Sequence, residues 1–170
     1  MIILFLWVVD IFMSWWILPT TADIGIRAFS TSPSDLLREV TFGLQSIQLS
    51  EGDNDHISNI NCHSGQWSVP LFESDLERGL VLWLEEVLFH GSIEDKWLMD
   101  ASFKISNNSI DAQVSWIDSK LITREIEIKA VTMHELIFKE ISDNEIVEGI
   151  DGVIPTFEGP GWVAQVVLDV

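Results

Sequence analysis

Positive charge is the property that this sequence has least of. Nine lysines and arginines stand against 27 aspartates and glutamates in 170 residues, so the formal net charge is −18 at pH 7. A field of that sign repels a phosphate backbone, and nucleic-acid binding normally needs a basic surface. We therefore expect no direct nucleic-acid binding, and we expect cations or basic proteins as partners. An acidic surface also serves solubility alone, and the overall charge does not separate these two explanations.

Cysteine is nearly absent as well. Cys62 is the only one, so an internal disulfide is excluded and nothing points to an oxidising compartment. We expect a cytoplasmic protein. His63 follows Cys62, but adjacent residues rarely converge on one ion, and the sequence has no CxxC motif. It also lacks a P-loop, a GxGxxG motif, a zinc signature and a Ser-His-Asp order, so no familiar catalytic signature is present.

Apolar residues, by contrast, are plentiful. They make up 47% of the chain and include eight tryptophans, which excludes a disordered protein. Side chains of that size need a packed interior or a partner surface. The length fits a single domain with a real core.

Residues 1–18 form an apolar run close to the length of a membrane span, which needs about 20 residues. Three features oppose a span or a signal peptide. No basic residue precedes the run, no small-residue cleavage site follows it, and Asp10 lies in its middle, where a charge costs about 3 kcal/mol. The segment is either an extra buried strand or helix, or upstream sequence before a true start at Met13. We favour the start at Met13, which makes 1–12 an apolar extension and 13–170 the domain.

Two helices are predicted. Ser32 precedes Pro33 and an acidic first turn, and apolar residues at helical spacing follow as far as about Gln48. Ser74 and Glu77 form a capping box before the second helix, predicted over 76–90. Within that helix we expect Trp83 in the core, with Glu85 and Glu86 facing solvent.

Several strands surround these helices in the sequence. Residues 50–66 are polar, and Asp53-Asn54-Asp55 is predicted as a solvated turn because the rest of a calcium-binding EF-hand loop is absent. Asn107-Asn108 predicts a hairpin turn, and 149–161 a loop. The predicted strands are 24–30, 101–105, 110–117, 125–132, 136–141 and 162–167. This order indicates an α+β domain of two layers, with a mixed or antiparallel sheet packed against two helices.

A candidate metal site lies at the two ends of this domain. Asp23 precedes the first predicted strand, and Asp169 and Val170 close the last one. If those strands are neighbours, two aspartates and the terminal carboxylate converge, and hard cations take such oxygen ligands. In the alternative, Asp23 only caps a strand and the tail frays.

Four segments in order resemble the archease family. Residues 21–29, TADIGIRAF, resemble its N-terminal signature, and 80–88, LVLWLEEVL, resemble its tryptophan-containing helix. Residues 128–136, IKAVTMHEL, are similar to the segment that precedes a histidine in the family, and 161–170, GWVAQVVLDV, resemble the family's ending. Family members begin shortly before a tryptophan such as Trp15, which is why we favour Met13 as the start.

The resemblance implies a function. Archeases are accessory proteins without catalysis of their own, which promote guanylylation and multiple turnover of an RtcB-type RNA ligase in tRNA splicing. It also implies a divalent-cation site at Asp23, Asp169 and Val170, with calcium expected and magnesium or manganese as alternatives. The rival functions are a metal-dependent hydrolase and a membrane-tethered interaction module that uses residues 1–18.

The sequence departs from the family pattern at three positions. Thr20 stands where the family has a histidine before its TAD motif, and Met133 replaces the tyrosine before His134. Glu135 follows where aspartate is common. These changes put a functional role for His134 in doubt and do not affect Asp23 or Asp169.

Overall fold

The computed structural model describes residues 14–170. The predictions of an apolar extension over 1–12 and of a start at Met13 therefore lie outside the described residues. The strands and helices, in chain order, are β1 (Trp15–Ile17), β2 (Ile24–Ser30), α1 (Pro33–Gln48), β3 (His63–Pro70), α2 (Leu76–Ser92), β4 (Lys96–Ile105), β5 (Ser109–Asp118), β6 (Ala130–Val131), β7 (Ile137–Ile141), β8 (Ile146–Val147), β9 (Phe157–Glu158) and β10 (Gly161–Asp169). Neither α1 nor α2, the α-helices of this described part, is long and apolar enough to span a bilayer.

The last strand, β10, lies at the centre of the main sheet. It pairs antiparallel with β2 along one edge, and β1 continues the sheet beyond β2. Its other edge pairs first with β7 and then, nearer the C-terminus, with β6. A second sheet has the order β3-β5-β4, and β8 and β9 form a small hairpin. All these pairs are antiparallel.

Both helices pack between elements of the two larger sheets. The helix α1 contacts β2 and β10 as well as β4, and α2 contacts β3 and β4 as well as β6 and β7. One large core results, which includes fully buried Leu37, Leu80 and Trp83. The predicted α+β class, with antiparallel strands against two helices, is confirmed, and the strands divide among separate sheets.

The first helix forms as its sequence predicts, and the second begins differently. The hydroxyl of Ser32 accepts a hydrogen bond from the Asp35 amide, and Pro33 is the first residue of α1. At α2 the cap is Asp75, whose carboxylate accepts the Arg78 amide at 3.0 Å. Ser74 has φ of 58°, in the left-handed region, so it is not in the extended conformation of an N-cap. The predicted capping box of Ser74 and Glu77 is therefore wrong, and the cap lies one residue later, at Asp75.

Two predictions about strands are also corrected. Residues 125–130 alternate in burial as predicted, with Ile128 buried between exposed Glu127 and Lys129, but of the predicted strand 125–132 only Ala130–Val131 pairs as a strand. Conversely, the strand β3 falls partly in the stretch taken as polar loop. Alternating hydrophobicity indicates which side chains face the core. A β-strand also needs a neighbouring strand whose backbone groups are free to pair with it.

One buried hydrogen bond joins the two helices within the core. The indole Nε1 of Trp83 donates to the hydroxyl of Thr41 at 2.9 Å, and both residues are almost fully buried. The same hydroxyl donates to the carbonyl of Leu37 at 2.6 Å. Tryptophan thus reaches the core with its polar atom satisfied.

We predict that Thr41→Val lowers the free energy of unfolding by about 1–3 kcal/mol, because it leaves the buried Trp83 N–H without an acceptor. Thr41→Ser keeps the hydroxyl and is the matched control. Urea titration followed by tryptophan fluorescence measures both. Equal stability of the two variants would contradict a stabilising role for the hydrogen bond between Trp83 and the Thr41 hydroxyl.

Candidate metal centre

The ladder between β2 and β10 places the two predicted aspartates at its end. Its final registered pair is Ile24 with Leu168; Asp23 directly precedes β2, and Asp169 is the last residue of β10. Residues opposite one another in an antiparallel pair have Cβ atoms about 4.5–5.5 Å apart and side chains on the same face. The expectation that the first and last predicted strands are neighbours is confirmed, which brings these two residues to one end of the sheet.

A lysine completes this end of the sheet on the other edge of β10. The Lys129 amide donates to the Asp169 carbonyl at 2.8 Å, and Ala130 pairs with Asp169 in the ladder. The Lys129 ammonium donates to the main-chain oxygen of Val170 at 3.3 Å. Asp23, Lys129, Asp169 and Val170 are all exposed, so their polar groups are open to solvent or to a partner.

The chain before β2 is held close to this end. The Thr20 hydroxyl donates to the Asp23 carbonyl, and the Leu18 amide donates to the Gly25 carbonyl at 2.8 Å. A Cβ at Gly25 would overlap a methyl group of Leu18 and lie 3.2 Å from the Val166 carbonyl oxygen. The Leu18 side chain therefore packs directly on the Gly25 backbone, and a larger residue at position 25 would have to displace it.

The donors at this end fit a hard cation by chemical class. Carboxylate oxygens are the ligands of calcium and magnesium. Within residues 14–170, no three histidine, cysteine, aspartate or glutamate side chains group closely enough to hold a metal ion. An ion between Asp23 and Asp169 would therefore need a further oxygen ligand, and the predicted one is the carboxylate of Val170.

A glutamate of α2 fixes the strand that flanks Asp169. The Glu85 carboxylate accepts the Val131 amide of β6 at 2.7 Å, and this glutamate is half-buried. Glu86 is half-buried too and contacts the ring of His90 at 3.1 Å. The prediction that both glutamates face solvent is wrong for Glu85, because helix periodicity does not show that strand β6 covers this part of α2. The Glu86 side chain remains 35% exposed.

The other candidate residues lie apart from this arrangement of carboxylates. His134 occupies the exposed turn between β6 and β7, with Nε2 3.9 Å from Glu135 Oε1. Its amide donates to the Thr132 hydroxyl at 3.3 Å. Cys62 is an exposed free thiol before β3. Lys129 was not singled out from the sequence, and its position inside the 128–136 segment was the signal that pointed to it.

Comparison with known proteins decides the family. The model of the Archease protein family matches residues 15–170, nearly the whole chain. The chain belongs to the archease family. No curated protein matches its sequence.

The archease fold is also found among solved structures. The solution structure of Methanobacterium thermoautotrophicum protein 1598 matches with a TM-score of 0.53, covering 93% of this chain and 99% of that one. The two sequences are 18% identical, so this likeness concerns the fold alone. In the present chain, the four segments that resemble the family form β2, the middle of α2, the region of β6, and β10.

We predict that Glu85→Leu lowers the free energy of unfolding by about 1–3 kcal/mol, because it leaves the buried Val131 N–H without its acceptor. Glu85→Gln retains a side-chain oxygen and should lose much less. Thermal and urea unfolding of the two variants would test this. If leucine were tolerated as well as glutamine, Glu85 would not be what anchors β6.

Proposed function

We propose that the chain is an accessory protein of an RtcB-type RNA ligase, which promotes guanylylation and multiple turnover of that ligase in tRNA splicing. The observation that carries the proposal is the family match over residues 15–170. In this proposal the protein is cytoplasmic, and the chemistry of ligation belongs entirely to the ligase.

The proposal includes a divalent-cation site formed by Asp23, Asp169 and the Val170 carboxylate. The register of β2 and β10 supports it, because the two aspartates follow the last paired residues of that ladder. Calcium is the expected ion, since it accepts oxygen ligands in flexible geometry, and magnesium or manganese are the alternatives. Lys129 would hold the terminal oxygen in place and balance part of the negative charge.

The charge of the chain supports a protein partner over direct contact with RNA. A net charge of −18 opposes approach to phosphates, whereas it favours docking on a positively charged protein surface. A metal-dependent hydrolase remains the rival from another class. Family membership favours the accessory role, and no observation on residues 14–170 favours the hydrolase.

We predict that Asp23→Asn and Asp169→Asn each weaken calcium binding at least about tenfold, because each removes a charged oxygen ligand. Isothermal titration calorimetry with calcium measures the affinity. The control is Asp143→Asn, an exposed aspartate in the turn after β7, which should bind like the wild type. Equal affinities of all three variants would rule out the proposed ligands.

We predict that the wild type stimulates a limiting RtcB-type ligase from the same source in a multiple-turnover RNA-ligation assay, and that Asp23→Ala does not. Equal stimulation by both proteins would retain the accessory role and reject the site. No stimulation by a folded wild type, with a ligase shown to be competent, would reject the accessory role. A ligation assay without ligase checks that the chain has no joining activity.

A further inference from the structure

A groove runs beside the C-terminal half of α2 and has a volume of about 720 Å³. One wall is the last turn of α2 with Phe89, and the other is the segment 124–129 that leads into β6. We call it the α2 groove. It differs from the carboxylate arrangement at the end of β10, although Lys129 borders both.

Large apolar side chains are exposed along this groove. Phe89 is 46% exposed and Ile93 is 69% exposed, and they lie four residues apart, so they face the same side. Half-buried Leu88 and Ile126 continue this apolar surface. Clustered exposed apolar side chains with a polar rim are typical of a surface that binds another protein.

The rim of the groove is acidic. Three acidic residues line the groove, compared with two basic ones: Glu85, Glu125 and Glu127, and Arg124 and Lys129. A second depression shares Glu125 and Ile126 and adds Glu51 and Asp53. Together the two depressions have five acidic and two basic side chains, so they favour a positively charged occupant.

The backbone of segment 124–129, the wall of the groove opposite α2, offers hydrogen-bonding groups as well. The amides of Glu125 and Lys129 donate to Gln48 and Asp169. Between them, the amide of Glu127, an exposed residue, donates to no other residue in the described part of the chain. A segment that pairs with this wall would gain main-chain hydrogen bonds in addition to apolar contacts.

Both depressions also border residues next to the proposed metal site. The α2 groove reaches Lys129, whose ammonium contacts Val170. The second depression reaches Ile24, which directly follows Asp23. A protein seated in the groove would therefore lie close to the end of β10.

We propose that the α2 groove is the docking site for a basic segment of the partner protein that carries large apolar side chains. This inference rests on the proposed function, in which that partner is the RNA ligase. The occupant's lysines or arginines face Glu125 and Glu127, and its apolar side chains pack on Phe89 and Ile93. A second copy of this chain is a poor occupant, because two chains of charge −18 repel each other.

The test is the affinity of full-length variants for the ligase from the same source, measured by biolayer interferometry at low and moderate salt. Phe89→Ser combined with Ile93→Ser should weaken binding at least about tenfold, mainly through faster dissociation. Glu125→Lys combined with Glu127→Lys should weaken binding and reduce its dependence on salt. Both residues of this second pair are exposed, so the charge variant is expected to fold even if the apolar one does not.

The matched control is Ile146→Ser combined with Val153→Ser, which are 54% and 53% exposed and lie away from the groove. It should bind like the wild type. Equal binding by the groove variants, with a wild type that binds and stimulates the ligase, would overturn the docking site and leave the proposed function standing.

Two further outcomes would also overturn the inference. A wild type that neither binds nor stimulates the ligase would reject the proposed function and the docking site with it. Sedimentation analysis that shows self-association, lost in the groove variants while ligase binding is retained, would assign the groove to a second copy of the chain.

Discussion

The antiparallel pairing of β10 with β2 is the constraint on which the rest of the structure depends. Side chains of β10 are buried on both faces of the sheet, Val163 and Val167 in one cluster and Ala164, Val166 and Leu168 in the other. A shift of one residue would exchange these two faces and move every side chain to the wrong cluster. Burial on both faces therefore fixes the register, and the register determines which residues lie at the end of the ladder.

The position of the proposed metal site follows from that register. Asp23 and Asp169 are the residues next beyond the last apolar pair of this ladder, so the packing of Ile24 and Leu168 leaves two exposed aspartates at the same end of the sheet. The flanking strand β6 has only two residues, and the Glu85 carboxylate of α2 accepts a hydrogen bond from the Val131 amide of this strand. In this way helix α2 supports the proposed ion site and also forms a wall of the α2 groove.

Local sequence predicted the elements whose causes are local. The strand β2 and the helix α1 have the predicted bounds, because a serine cap, a proline and apolar spacing act within a few residues. At α2 the apolar spacing was sufficient to predict the helix, but Ser74 and Asp75 are both residue types that cap helices. The cap is Asp75, because Ser74 has a left-handed backbone conformation. Residues 125–132 show the limit of such patterns: burial alternates over 125–130 as predicted, yet most of the segment has no partner strand.

The sequence by itself determined the acidic charge, the α+β class, the two helices, the archease family and the candidate aspartates, since these depend on composition, periodicity and motifs. Only the tertiary structure decided that β10 lies between β2 and the strands β6 and β7, and that Lys129 contacts Val170. It also decided that the end of α2 leaves Phe89 and Ile93 exposed along a groove. These are contacts between residues far apart in the chain, and no local pattern specifies which distant segment covers a given face.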